Sequence, residues 1–171
     1  MGVLMEEVIS MAETNHRPNT LPVRQALWNL QKELLTALKQ EFDQENGYEA
    51  APVEWFQVLT TADRYSWLRE LTSLMADVDT MTELEVITDK HASVARYEIE
   101  RLLFNQDASK SSFAESYSNI LMAGMTLLPL HSQLRAALQA LPKQDMTADQ
   151  AAQSRKHWHE EHREHARKKR N

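Results

Sequence analysis

The chain has 171 residues, 42% hydrophobic and 26% charged, with a formal net charge of −6 at pH 7. That length and apolar share suit one globular domain with its own core. Three glycines, five prolines and no cysteine leave little material for a turn-rich β architecture and none for glycine-rich phosphate loops, disulfides, zinc fingers or thiol catalysis.

Residues 3–13 read as a short helix with Leu4, Val8 and Met11 on one face. The opening segment MGVLMEEVISMAE carries early glutamates and no lysine or arginine, unlike a secretory signal. No apolar run in the chain approaches the roughly 20 residues a membrane span needs. A cytoplasmic protein without membrane association is the expectation.

NHRPNTLP is a linker, and Thr20 near its end is the predicted cap of a long helix over 21–46. Its stripe runs Val23, Leu27, Leu30, Leu34 and Leu38, and Gly47 ends it. Pro52 opens a helix over 53–79, broken near 60–63, where Asp63 can cap a fresh start. Leu68, Leu71, Met75 and Val78 form the stripe of its second piece. Thr80 with Glu83, and Thr82 with Glu85, each fit a capping box, so the next helix is predicted over 82–104. A link this short makes the two helices antiparallel neighbours. Ser112 with Glu115 starts a helix over 112–141, kinked at Pro129, with Gly124 inward to let another helix approach. Thr147 with Gln150 opens the last helix, over 148–169. The expected fold is an all-α antiparallel bundle of five to six helices. Residues 1–146 form the bundle domain, and 147–171 form a basic, His-rich C-terminal helix.

Charge is unevenly placed. Residues 155–171 hold seven of the 19 Lys/Arg and three of the 25 Asp/Glu, a net +4 against −10 for the rest. The first functional reading is therefore a non-enzymatic interaction or regulatory protein, able to self-associate. It would engage an acidic protein partner through Trp158, Arg163, Arg167, Lys168, Lys169 and Arg170. An aromatic surface around Trp55, Phe56 and Trp67 is a second candidate contact. Nucleic acid is the alternative partner, with the same cations on phosphates and Trp158 stacked on a base. The interspersed Glu160, Glu161 and Glu164 count against it.

A third reading is a metal-responsive bundle. His159, His162 and His165 recur every three residues, a spacing at which two imidazoles can chelate a divalent metal. The competing reading of this segment is a solvated helix end whose glutamates pair with Arg163, Lys168 and Lys169. His91 lies on the inner face of its helix and is expected to be a core histidine bonded to a neighbouring helix. No catalytic motif is found, and no cofactor other than a divalent metal on the tail histidines is suggested. The Glu-x-x-His pair of a di-iron bundle occurs only as Glu13/His16.

Overall fold

The computed structural model describes residues 14–105 and 111–170. Among these residues there are seven α-helices, one 3₁₀ helix and no strand, so the fold is all-α. α1 is Arg17–Asn46, α2 Pro52–Thr61 and the 3₁₀ helix Asp63–Leu68. α3 is Arg69–Thr82, α4 Asp89–Leu103, α5 Ser112–Ala123, α6 Leu127–Leu138 and α7 Ala148–Arg170. The helix expected over 3–13 lies outside the described residues.

α1 is the axis of the fold. Its 30 residues extend about 45 Å at the α-helical rise. Val23, Leu27, Leu30, Leu34 and Leu38 are all buried on it, as their spacing predicts. α6 and α3 pack against it. The helix begins earlier than Thr20 because the preceding residues are pinned to the link between α3 and α4. The His16 N–H donates to the Ile87 carbonyl at 2.8 Å, and the Asn15 side chain accepts from the Ile87 N–H at 3.0 Å. Pro18 then sits in the first turn, where no intrahelical N–H is needed. Thr20 is left inside the helix, its hydroxyl donating to the Arg17 carbonyl at 3.0 Å. Gly47 ends α1 as expected, at φ 76° with its N–H on the Asp43 carbonyl.

The predicted break after α2 is present, but Asp63 does not cap it. Ala62 turns the chain in an extended conformation, and a 3₁₀ helix follows. That tight turn puts Tyr65 and Leu68 into the core. Trp55 lies between Phe42 and Tyr65, with ring centroids at 5.5 and 5.4 Å. Trp67 stands edge-on to Phe113 at 5.4 Å. These rings fill core, and of the expected aromatic surface only Phe56 is largely exposed, at 65%.

The start of α4 also differs from expectation. Thr80 and Thr82 stay in α3, their hydroxyls donating back to the Ala76 and Asp79 carbonyls at 3.0 and 2.8 Å. Thr88 is the cap instead. Its hydroxyl accepts from the His91 N–H at 3.2 Å, and His91 Nδ1 accepts from the Thr88 N–H at 3.1 Å. An imidazole thus takes the place of the usual glutamate or glutamine in the box. Leu84 and Ile87, in the link before it, are buried, so packing sets where α4 begins.

The segment expected to kink at Pro129 is two helices. The chain breaks earlier, at Gly124, which is extended (φ −135°, ψ 153°) and exposed. A Cβ there would meet nothing within 4 Å, so Gly124 serves no close helix approach. Pro129 falls in the first turn of α6, where its missing N–H costs nothing. Ser111, one residue before the expected cap, accepts from the Ala114 N–H at 3.1 Å. α5 and α6 are joined by Tyr117, whose hydroxyl lies 2.8 Å from His131 Nδ1. Burial pushes the Tyr117 hydroxyl well above its ordinary pKa and the His131 imidazole below its own. The phenol therefore stays protonated and donates to a neutral ring.

Candidate functional site

α7 opens as predicted. The Gln150 N–H donates to the Thr147 hydroxyl at 3.1 Å, and the Thr147 N–H to the Gln150 side chain at 2.9 Å. The helix lies against both α3 and α4. Its apolar contribution is small, but the pieces are well placed. Ala151 and Trp158, seven residues apart on one face, are 0% and 1% exposed and join the hydrophobic core. Trp158 is therefore an internal anchor. Docked in this way, its indole cannot stack on a base or meet a partner.

Around Trp158 runs a polar seam. The Arg155 guanidinium bonds Asp77, reaches Ser73 Oγ at 3.1 Å and lies 3.4 Å from Glu98. Glu98 is buried and also accepts from Arg101 at 2.8 Å. His159 meets Asp77 at 2.6 Å, and His162 meets Glu83 at 2.5 Å. Glu161 lies 2.6 Å from His91 Nε2. Because Nδ1 of that ring already accepts from Thr88, the proton sits on Nε2 and points at Glu161. His91 is thus a bridge between α4 and α7, close to its expected role as a hydrogen-bonded core histidine.

The tail histidines do not converge. His159 faces Asp77 of α3 and His162 faces Glu83 just beyond its end, while His165 is half-buried with Nε2 unpartnered. No group of three or more His, Asp or Glu side chains placed to hold a metal is found among the described residues. The glutamates do not pair along the helix with Arg163, Lys168 or Lys169. Glu161 crosses to His91, and Glu160 lies 3.7 Å from His157.

Beyond His162 the character of α7 changes. Arg163, Arg167, Lys168, Lys169 and Arg170 are exposed, and none has an ion-pair partner among the described residues. Five positive charges around one acidic residue, Glu164, therefore stand on the end of a helix whose other end is fixed. The C-terminal pole of a helix is its negative end, which favours cations there.

The grouping of Arg155 with Asp77 and Ser73 is not visible in the sequence. Glu98 was the available signal, since a carboxylate among Ala95, Ile99 and Leu102 falls on the buried stripe and demands a cationic partner. No described helix is long and apolar enough to cross a membrane. In comparison with known proteins, the chain matches no family model, no curated protein and no solved structure.

Proposed function

We propose that this protein is a non-enzymatic binding module that presents the basic end of α7 to an acidic protein surface. The observation that carries the reading is the exposed group Arg163, Arg167, Lys168, Lys169 and Arg170, unpaired among the described residues, on a helix held by Trp158 and the Arg155 network. Holding one end lowers the ordering cost of binding at the other. The remainder of the chain carries −10, so a second copy is itself an acidic surface, and self-association through this end belongs to the same reading. Duplex DNA or RNA is the competing partner for the same cations.

The test uses fluorescence anisotropy with a labelled oligoglutamate peptide and a short DNA duplex as probes. The wild-type chain is expected to bind the peptide. Arg167, Lys168, Lys169 and Arg170 all changed to Gln should weaken it about tenfold, since each exposed pair contributes a few tenths of a kcal/mol. Failure of the peptide to bind overturns the proposal. Tighter binding of the duplex, with a steep salt slope, transfers the function to nucleic acid.

A further inference from the structure

A second surface, remote from the basic end of α7, has the form of a small-molecule site. A groove of about 530 Å³ runs between α1, α2, the 3₁₀ helix and α3, within the range of ligand pockets. Its walls are mostly apolar, with Leu35, Leu59, Leu68 and Leu71 inside and Phe56 at 65% exposure on the rim. A second, polar cavity of about 370 Å³ lies where α3, α4 and α7 meet. Arg69 and Ser73, one turn apart on α3, line both cavities.

The charges of the polar cavity do not all pair with one another. Arg69, Arg101 and Arg155 line it with only Glu70 and Glu98. Arg101 and Arg155 are committed to Glu98, and Arg155 also to Asp77. Arg69 is exposed and has no carboxylate partner among the described residues. It is the only charged residue lining the apolar groove, and it stands at the junction of the two cavities. Ser73 Oγ accepts from Arg155 at 3.1 Å, which leaves its O–H to donate. The junction therefore offers a guanidinium and a hydroxyl to an anion, beside a groove that favours hydrocarbon.

We propose that this groove binds a small amphipathic carboxylate, its aliphatic body among Leu35, Phe56, Leu59 and Leu71 and its head on Arg69 and Ser73. Charge selects the sign of the head. A cationic amphiphile of the same length would bring a positive group toward the Arg69 guanidinium, with no carboxylate lining the groove to meet it.

Dodecanoate, kept below its micelle concentration, is the probe, titrated calorimetrically into the full chain beside dodecyltrimethylammonium. The expected result is one saturable site for dodecanoate, a raised Tm, and little binding of the cation. Arg69→Gln should weaken dodecanoate about tenfold, the scale of one charge-assisted hydrogen bond, with the unliganded Tm unchanged. Ala76→Trp, at an exposed position lining the groove, should weaken it by filling the space. The variant lacking the four terminal cations of α7 should bind dodecanoate as wild type does. The proposal is overturned by the absence of a saturable site, by equal binding of the cationic amphiphile, or by unchanged affinity in both groove variants.

Discussion

Between Ala151 and His162, Arg155, Trp158, His159, Glu161 and His162 each end in the core or on a named residue of α3, α4 or the link between them, whereas from Arg163 to Arg170 the cations meet no carboxylate among the described residues. Both stretches are polar, helical and poor in apolar residues. What separates them is a single tryptophan and the carboxylates that happen to face it. A helix can therefore dock without a continuous apolar stripe, provided one large side chain is fully buried and the polar groups round it find partners.

The largest test of that contrast removes the tryptophan. Trp158→Ala should destabilise the chain by about 3–5 kcal/mol, the range for a fully buried Trp, in chemical denaturation. Hydrogen exchange should then show the amides of residues 151–162 opening as freely as those of 163–170, while α1 keeps its protection. If α7 stays protected, the polar seam alone holds it. Arg155→Met is next, at about 2 kcal/mol. It leaves the buried Glu98 with Arg101 as its remaining cation, and exposed Arg101 discounts the full cost of an unpaired buried charge. A double-mutant cycle with Ser73→Ala measures how far the seam acts as a unit.

Acid sharpens the comparison from a different place. His131 is neutral in the fold because burial lowers its pKa, so between that value and the ordinary imidazole value near 6.5 the unfolded chain binds more protons. Its contribution is complete above about pH 6.5, falls as pH drops through that value, and levels off below the folded pKa. His131→Gln should flatten this part of the stability–pH curve while leaving α7 docked, as read by exchange at residues 151–162. The smallest effect is expected at the free end. Changing Arg167, Lys168, Lys169 and Arg170 to Gln should move stability by no more than about 0.5 kcal/mol.

How legible these features were depended on distance along the chain. Gly47 and the Thr147–Gln150 box were readable because both halves of each signal lie within four residues. Thr88 was not, since its partner in the box is a histidine, and Thr80 and Thr82 offered the more familiar glutamates. Pro129 is a weaker break signal than Gly124. Proline breaks a helix only where a helical N–H would be needed at its position and its ring meets the carbonyl four residues back, and the chain had already turned at Gly124. The sequence suggests surface for Trp55, Trp67 and Trp158 because it does not say which side chains stand opposite. Their covers are Phe42, Phe113 and the α3–α4 face, all remote in sequence. The basic end of α7 was legible as charge, but its attachment through Arg155 to Asp77 and Glu98 was not, because those residues lie more than fifty positions away.

The His91 ring has one further consequence. The Thr88 N–H donates a hydrogen bond to Nδ1, and the Nε2–H donates to Glu161, so the opening turn of α4 and the attachment of α7 are consecutive links of one polarised chain. Such links strengthen each other. Lifting α7 therefore loosens the Thr88 amide, and fraying that turn weakens the hold on Glu161. The exchange rate of a single backbone proton, on a residue outside α7, becomes a built-in gauge of whether the C-terminal helix is in place.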